Sequence, residues 1–372
     1  MVGKDDVAPD IGRIPKKQQA PYYQKCLKDY INAHAHEFDV IEYEHSHLPY
    51  PRSDFASDVI LVSRSVLLAH HARDIRWPVW RGLTNIFRNV MRHIAGDFDD
   101  SRLVLKDYIS VLKKHVGTAV RYELSQKARQ DRVRRVNIEL RAADLIIVSN
   151  QHDVDALVRE GISKSNITKL PFGLTDERRN QLVRVAGNST GTPTITFVGT
   201  FDFRKGGATD IPRIVDQVLS EHPEVKMRLL GTRGLFVSER EVLSHFAPRV
   251  QSRVEVVPRY DPDTLPELLL GSTLGIFPSR YEGFPFGVLE MLAAGLPVFA
   301  YHSPGPPEML PGEWLSERGD WKGLADSATR LLHDRQTLSR LKQEALSRAQ
   351  RFKWDQIAEE TLAAYTTKLE SA

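Results

Sequence analysis

Hydrophobic positions in the second half of the chain change repeatedly between two spacings. Short β-rich runs predict strands, and apolar residues three or four positions apart predict helices. The predicted strands cover 194–199, 225–231, 254–257, 274–277 and 297–301, and the predicted helices cover 211–219, 265–270, 288–294, 320–350 and 353–370. Strands that alternate with helices of this length predict a parallel sheet that helices cover on both faces.

The first half repeats this alternation less regularly. It predicts strands at 38–43, 58–63 and 143–149 and helices at 22–33 and 101–125. The stretch 175–192 is polar and ends in glycine, asparagine, serine and threonine, so we predict a boundary between two domains there. The predicted fold class is therefore α/β with two domains.

Composition restricts the class of protein. The chain has 372 residues, of which 41% are hydrophobic and 27% are charged, and these values fit a globular protein. Its single cysteine, Cys26, excludes an internal disulfide framework and a cysteine-based zinc site. The apolar runs are far shorter than the roughly 18 residues of a membrane span, and no apolar leader is visible, so we expect a cytoplasmic protein.

Positive charge is concentrated in one part of the chain. The formal net charge is +3, and residues 102–141 hold eleven basic residues against four acidic ones. Such a stretch predicts either a solvated helix face or a patch that attracts anionic lipid, phosphate or nucleic acid. Nucleic acid is the weakest of these interpretations because no aromatic stacking platform accompanies the charge.

The stretch 278–295, PSRYEGFPFGVLEMLAAG, is the strongest candidate for a ligand site. A predicted strand ends at its first residue, a loop follows, and a helix begins near Pro285 or Phe286. Ligands of open parallel sheets bind at such carboxyl ends, and amides at a helix start can hold a diphosphate. Glu282 and Glu290 would be about 12 Å apart on one helix, so they can flank an elongated ligand but cannot share one proton.

A second candidate element, GTFDFRKGG at 199–207, follows the first predicted strand of this half. Its glycines let the backbone approach a ligand, and Arg204 and Lys205 supply positive charge. The pattern is neither a Walker loop nor G-x-G-x-x-G, so it does not support those nucleotide-binding folds. Alone, it is explained equally well by a basic surface turn.

Taken together, these motifs closely resemble the donor domain of retaining glycosyltransferases of the GT-B fold, family-4 type. The matching pieces are TITFVGTFDFRKGG from 194, LLG at 229–231, EGFPFGVLEMLAAGLPV from 282, a PG-x-x-E turn at 304–308 and FKWDQIAEETLAAY from 352. The resemblance implies two Rossmann-like domains that face each other across a cleft. It also implies a nucleotide-diphosphate sugar as the donor.

The resemblance assigns roles to individual residues. Glu282 would contact the hydroxyls of the donor sugar, and Glu290 would contact the ribose. Lys205 would neutralise the diphosphate, with help from the backbone around Gly283 and Phe284. Fixed positive groups of this kind stabilise the charge that builds up on a leaving diphosphate.

One position departs from the family pattern. Many relatives have an arginine just after the glycine of the first loop, where this chain has Thr200, and Arg204 is the candidate substitute. Cationic side chains and helix amides would take the place of a metal. We therefore predict neither a metal nor any other cofactor.

The first half resembles the acceptor domain of the same family at 38–51, 143–157 and 161–174. The usual opening strand and glycine-rich loop are not recognisable before these stretches, so either the real chain is longer or this branch has lost them. The resemblance divides the chain into an acceptor-side domain with an incomplete opening at 1–188, a donor-binding domain at 189–350 and a C-terminal helix that crosses back at 351–372.

Histidines of the first half are the remaining candidates. Relatives often have a histidine close to the reacting sugar after the next strand, and His70 is our catalytic candidate for that role. The alternative is that His70 and His71 form a histidine pair on a helix surface. The His-x-His pairs at 34–36 and 45–47 have metal-ligand spacing, but no later ligand set accompanies them, so a metal site is not favoured.

The predicted function is a retaining, metal-independent glycosyltransferase of the hexosyltransferase type. It would move a sugar from a nucleotide-diphosphate sugar to a hydroxyl of a glycan or lipid-linked acceptor, in polysaccharide or glycolipid synthesis. The basic stretch adds a peripheral contact with the anionic inner membrane face as a hypothesis, and we expect no nucleic-acid partner. Two alternatives stay open, a non-catalytic partner protein that binds sugar nucleotides and an epimerase, although the spacing of the two glutamates disfavours the epimerase.

Overall fold

The computed structural model describes residues 4–45, 47–56, 59–75, 78–95, 103–186 and 191–371. The chain divides into two compact units. The first unit contains Met1–Asp74, Lys127–Phe172 and Asp355–Ala372, and the second unit contains Ile75–Gln126 and Gly173–Trp354.

These units differ from the domain ranges that the sequence predicts. Residues 75–126 and 173–186 group with the second unit, although both lie within the predicted acceptor-side range 1–188. The predicted boundary between residues 188 and 189 falls outside the described residues.

The secondary structure alternates along most of the chain. The strands are β1 Val40–Glu44, β2 Ile60–Arg64, β3 Leu145–Val148, β4 Ile167–Lys169, β5 Thr194–Val198, β6 Lys226–Leu230, β7 Val254–Val257, β8 Leu274–Phe277, β9 Val298–His302 and β10 Leu315–Glu317. The helices are α1 Lys4–Val7, α2 Gln19–His34, α3 Ala69–Asp74, α4 Val79–Ile94, α5 Leu105–Leu124, α6 Gln126–Ala142, α7 Gln151–Arg159, α8 Asp176–Val183, α9 Ile211–Glu221, α10 Glu239–Leu243, α11 Pro248–Gln251, α12 Leu265–Leu269, α13 Phe286–Ala293, α14 Trp321–His333, α15 Arg335–Ala349 and α16 Trp354–Glu370.

The first unit is built on a parallel sheet in the order β1-β2-β3-β4. Ile60 and Val62 of β2 face one way, where Tyr365 of α16 packs against their cluster. Leu61 faces the other way and packs with Ile31 of α2, because successive side chains of a strand point to opposite faces. Strands β1, β2 and β3 confirm the predicted strands of the first half, and among the described residues no strand precedes β1.

The second unit is built on a parallel sheet in the order β10-β9-β8-β5-β6-β7. From β5 the chain moves outward through β6 to β7, and it then returns to β8 on the other side of β5 and continues to β9 and β10. The strand order therefore reverses between β5 and β8. In open sheets of this kind, ligands bind outside the carboxyl ends of the strands at that reversal.

Helix boundaries differ from the predicted ones at several places. Helix α13 begins at Phe286, as the loop in 278–295 predicts, and therefore two residues before the apolar run 288–294. The predicted helix 320–350 is two helices, because Asp334 ends α14 and caps α15 by accepting a hydrogen bond from the backbone N–H of Thr337. Helices α4 and α6 and strands β4 and β10 are further elements that the sequence did not predict.

Helices α4 and α5 pack against each other and against the rest of the second unit. Nε2 of His115 on α5 lies 2.8 Å from Nε2 of His245, and both rings are buried. Since Nδ1 of His245 lies 2.9 Å from the carbonyl oxygen of Glu241, it carries the proton, and Nε2 of His245 accepts from His115. Nearby, Nζ of Lys114 lies 2.6 Å from Oε1 of Glu241. These contacts hold α5 against α10 and the residues just after it.

The basic stretch 102–141 is divided between the units. Helix α5 belongs to the second unit, whereas residues 127–142 of α6 belong to the first. Its described charges therefore lie on two helices and not on one. In the described part of the chain, no helix is both long and apolar enough to cross a membrane.

Candidate functional site

A cavity of about 470 Å³ lies at the reversal of the strand order in the second unit. Its lining comes from the loops that follow β5, β6, β7 and β8 and from the first turns of α13. The lining side chains that carry charge are Lys205, Arg233, Arg259, Glu282 and Glu290. Lys205, Glu282 and Glu290, which the sequence singled out, therefore surround one shared space.

Glu282 is the most tightly held of these residues. It is only 6% exposed, and its Oε1 accepts hydrogen bonds from Nζ of Lys205 at 3.1 Å and from Oγ of Ser279 at 2.7 Å. Its Oε2 lies 2.7 Å from Nη1 of Arg204. Burial raises the pKa of the Glu282 carboxyl, but Lys205 and Arg204 outweigh burial and hold that pKa below its ordinary value. Glu282 is therefore an ionised carboxylate at neutral pH.

The loop after β5 aims Lys205 at the cavity. Asp202 accepts a hydrogen bond from the backbone N–H of Lys205 at 2.8 Å, and the hydroxyl of Thr200 donates to Asp202 at 2.8 Å. Gly206 has a φ of +73°, and a Cβ there would lie 2.5 Å from the carbonyl oxygen of Pro278. Only glycine fits this position, since both the backbone angle and the space exclude a side chain. The loop is thus held in one shape by its own polar contacts.

Arg204 lies behind Glu282 rather than on the cavity lining. Its Nη1 donates to the carbonyl oxygen of Tyr281 at 3.0 Å and pairs with Glu282. Thr200, at the position where the family resemblance led us to look for an arginine, lines the cavity and donates a hydrogen bond to Asp202. The structure therefore gives Arg204 a supporting position behind the carboxylate.

The start of α13 closes the cavity on the side of β5. A Cβ at Gly287 would lie 2.7 Å from the carbonyl oxygen of Val198, so glycine lets the first turn of the helix approach the strand end. Phe284, Pro285 and Phe286 line the cavity beside it. The N-terminus of a helix attracts anions because its amides and its dipole both favour negative charge.

Glu290 lies one helical turn further along α13 and is paired with Arg178 of α8. Nη2 of Arg178 lies 2.7 Å from Oε1 of Glu290, and Nε lies 3.2 Å from the same oxygen. Burial raises the pKa of the Glu290 carboxyl, and Arg178 opposes that rise without cancelling it. Burial and the nearby Glu290 also raise the pKa of Tyr260 to about 12, so Tyr260 presents a protonated hydroxyl to the cavity.

Arg233, Arg259 and Tyr260 are site residues that the sequence reasoning missed. Arg233 follows β6 by three residues, and Arg259 and Tyr260 follow β7 by two and three residues. The rule that ligands bind at the carboxyl ends of parallel strands applies equally to β6 and β7, so that signal was present in the sequence.

His70 lies in the first unit, on α3. Its ring is fully buried, and its Nε2 lies 2.8 Å from Oδ1 of Asn137. Burial lowers the pKa of His70. The alternative interpretation of a surface histidine pair is wrong, because His71 is also buried and its Nε2 lies 2.6 Å from Oδ1 of Asp153.

The geometry of the cavity indicates what it can bind. Three cationic side chains line it, two carboxylates lie at separate points, and a helix N-terminus opens into it. Cations and helix amides suit a phosphate-bearing group, while ionised carboxylates accept hydrogen bonds from hydroxyls. In the part of the chain that the structure describes, no three His, Cys, Asp or Glu side chains form a group that could hold a metal ion.

A comparison with known protein families matches the part of the chain that contains this cavity. Residues 179–348 match a family model described as glycosyl transferases group 1. The D-inositol 3-phosphate glycosyltransferase of Nocardia farcinica is 28% identical over 245 residues, which cover 61% of this chain and 53% of that protein. The chain spans about half the length of the curated relatives it matches.

Solved structures match over nearly the whole chain. Sucrose-phosphate synthase from Thermosynechococcus elongatus has a TM-score of 0.64 at 19% identity, covering 96% of this chain and 81% of that chain. The HepE protein of Anabaena, solved in complex with UDP and glucose, has a TM-score of 0.61 at 16% identity, covering 95% of this chain and 83% of that chain. These likenesses show that the chain shares their fold.

Proposed function

We propose that this chain transfers a sugar from a nucleoside diphosphate to a hydroxyl. Its residues 179–348 match the glycosyl transferases group 1, and the chain has the GT-B fold. The observation that carries the proposal is the shared cavity of Lys205, Glu282 and Glu290 at the reversal of strand order. A cavity at this place, with cations and separated carboxylates, suits a nucleotide sugar.

The cations have a distinct part in this proposal. Lys205, Arg233 and Arg259 would bind the diphosphate together with the N-terminus of α13. Negative charge develops on the leaving diphosphate as its bond to the sugar breaks. Fixed cations that need no reorganisation stabilise that charge in the transition state, so the proposed reaction can proceed without a metal.

The carboxylates have another part. Glu282 is ionised and ion-paired, so it would accept hydrogen bonds from sugar hydroxyls and would not act as a proton donor. Lys205 contacts Glu282 and lines the same cavity, so one ammonium can link the carboxylate that orients the sugar to the phosphate that leaves it. Glu290, oriented by Arg178, would accept from the ribose.

The finer parts of the proposal come from the family resemblance. They are retention of the anomeric configuration, a hexosyl donor, a glycan or lipid-linked acceptor and a catalytic role for His70. The HepE structure supports a nucleotide-sugar donor, since that protein was solved in complex with UDP and glucose. The relative from Nocardia farcinica is named for a phosphorylated polyol acceptor, which supports a hydroxyl acceptor here.

The test is incubation of the full chain with a panel of sugar nucleotides, followed by NMR. Hydrolysis or transfer that keeps the anomeric configuration supports the proposal. Lys205→Ala should reduce turnover by about 10²–10³-fold, as loss of a charge-stabilising group does. Lys226→Ala, which removes an exposed lysine on β6, is the matched control and should leave turnover unchanged.

A second candidate function is a non-catalytic protein that binds sugar nucleotides. The observation that favours it is the four-stranded sheet of the first unit, in which no described strand precedes β1. In the same NMR experiment, binding that depends on Lys205 but never leads to turnover would support this candidate over the transferase. His70→Gln separates the two further, because only the transferase predicts an effect on turnover without an effect on donor binding.

A further inference from the structure

Helix α4 presents an apolar stripe to the solvent. Trp80, Phe87, Met91 and Ile94 are 55%, 58%, 50% and 62% exposed, and their spacing places them on one side of the helix. The opposite side of the helix, which carries Gly82, Ile86 and Asn89, is buried in the second unit. A helix that packs only on a protein core would bury its most apolar side, so this stripe needs another explanation.

Helix α5 continues the exposed apolar surface. Its exposed apolar side chains are Leu105, Ile109, Val116, Val120 and Leu124, at spacings of four or seven residues that place them on one side of the helix. The half-buried Leu112 lies between them and lines a shallow groove of about 590 Å³ together with residues of α4. We call this surface, formed by the exposed apolar side chains of α4 and α5, the α4–α5 face.

Positive charge borders the α4–α5 face. Helix α4 contains Arg81, Arg88 and Arg92 and no acidic residue. Helix α5 places the exposed Lys106 and Lys113 beside its own apolar side chains. Among the described residues, no ion pair involves any of these five side chains, so their charge is available to a partner.

An arginine cluster adjoins the face. Arg88 lines the apolar groove, and it also lines a small pocket of about 50 Å³ with Arg92 and Arg213. Burial lowers the pKa of Arg213, and the positive charges of Arg81 and Arg88 lower it further while Asp210 opposes them. Asp216 also lines this pocket, but its carboxylate is already paired with Arg249. The three arginines therefore exceed the negative charge of the pocket and suit an anionic group.

We propose that the α4–α5 face docks on the surface of an anionic phospholipid bilayer. Apolar side chains would enter the boundary between headgroups and acyl chains, and the bordering cations would bind phosphates. Trp80 would lie at the level of the headgroups, where tryptophan is favoured. Arg88 belongs both to the apolar groove and to the arginine cluster, so it joins the two parts of the surface.

Charge distinguishes the bilayer from other partners. A second copy of this chain would bring the same arginines and lysines against one another, which repels two copies. A bilayer with anionic headgroups matches both the apolar stripe and its cationic border. The proposal concerns a surface apart from the candidate donor site, so it does not depend on the proposed transferase activity.

The experiment is co-sedimentation of the full chain with vesicles of phosphatidylcholine alone and with vesicles that also contain phosphatidylglycerol. We expect binding to the anionic vesicles that weakens as salt is added. Arg88→Gln with Arg92→Gln should weaken binding by about fivefold for each charge removed. Phe87→Ser with Met91→Ser should weaken binding at low and at high salt alike, because it removes the apolar contribution.

Matched variants and a second measurement keep the outcomes distinct. Arg330→Gln with Arg351→Gln, and Leu362→Ser with Val237→Ser, remove exposed charges and exposed apolar side chains elsewhere and should leave binding unchanged. Brominated acyl chains should quench the fluorescence of the unaltered chain more than that of Trp80→Phe. Equal binding to neutral and anionic vesicles, no binding, or a dimer that Phe87→Ser with Met91→Ser dissociates would each overturn the proposal.

Discussion

Nη2 of Arg178 lies 2.7 Å from Oε1 of Glu290, so two residues 112 positions apart form an ion pair at the candidate donor site. Both side chains are largely buried, and both Nη2 and Nε of the guanidinium contact the same carboxylate oxygen. The pair therefore fixes where Glu290 can accept a further hydrogen bond. In the proposed function, Arg178 would act on the ligand through Glu290, as a positioning residue.

Replacement of Arg178 should weaken donor binding. Arg178→Met leaves Glu290 without its partner, and loss of a charged hydrogen bond of this kind changes affinity by about tenfold. Calorimetric titration with a nucleoside diphosphate measures the effect. Arg184→Met, on an exposed arginine just beyond α8, is the control and should bind as the unaltered chain does. Equal affinities for all three proteins would contradict the positioning role.

Donor affinity should also depend on pH through Glu290. The pKa of this carboxyl is raised above its ordinary value by burial, so the carboxylate is lost at a higher pH than for an exposed glutamate. We expect affinity for a nucleoside diphosphate to fall as the pH is lowered from 7.5 toward 5. Glu290→Gln should bind more weakly at pH 7.5, and its affinity should change less over this range. A parallel pH profile for both proteins would show that another group is responsible.

Replacement of Glu282 should destabilise the second unit. Glu282→Gln removes the negative charge between Arg204 and Lys205, and breaking a buried ion pair in this way costs about 3 kcal/mol of unfolding free energy at neutral pH. The folded pKa of Glu282 is below its unfolded value of 4.5, so the carboxylate stabilises the fold fully above that pH.

The pH dependence of the stability difference between the unaltered protein and Glu282→Gln provides the control for this prediction. As the pH falls from 4.5 through the lower folded pKa, the contribution of Glu282 is lost. Denaturant unfolding of both proteins should therefore show a stability difference that is constant above about pH 5.5 and shrinks below pH 4.5. A difference that stays constant down to pH 3.5 would mean that the ion pairs do not stabilise the fold.

Two glycines in neighbouring helices should respond in opposite ways to alanine. A Cβ at Gly82 on α4 would lie 2.4 Å from Cε1 of His115, whose ring is held by His245, so Gly82→Ala should lower the melting temperature. Gly117 on α5 has no atom within 4 Å of such a Cβ, so Gly117→Ala should stabilise the protein by about 0.5–1 kcal/mol. Thermal unfolding of the two variants measures both shifts in melting temperature. A loss of stability in Gly117→Ala as well as in Gly82→Ala would contradict the prediction for α5.

Local sequence pattern predicted most of the second unit and the centre of its site. Buried strands such as β8 are short apolar runs bounded by turn residues, and this signal does not depend on tertiary contacts. The sequence placed Lys205 and Glu282 after strand ends, and the structure brings them together because those strands, β5 and β8, are adjacent at the reversal of strand order.

Features that depend on packing between distant segments could not be predicted in the same way. Arg178 lies on a polar helix whose sequence gives no sign of a partner on α13. His115 and His245 are 130 residues apart, and each alone fits an ordinary helix. Helix α4 was missed because its apolar residues include an exposed stripe, so the usual rule that apolar positions mark the core does not apply to it.

The placement of the α4–α5 pair affects how relatives of this protein can be recombined. The second unit consists of two separate stretches of chain, and one of them lies between parts of the first unit in the sequence. A chimera with a single crossover near residue 190 would therefore join a foreign second half to the native α4–α5 pair, and His115 would lose the partner it has in His245. Exchange of the second unit with its packing intact therefore requires both stretches to be transplanted together.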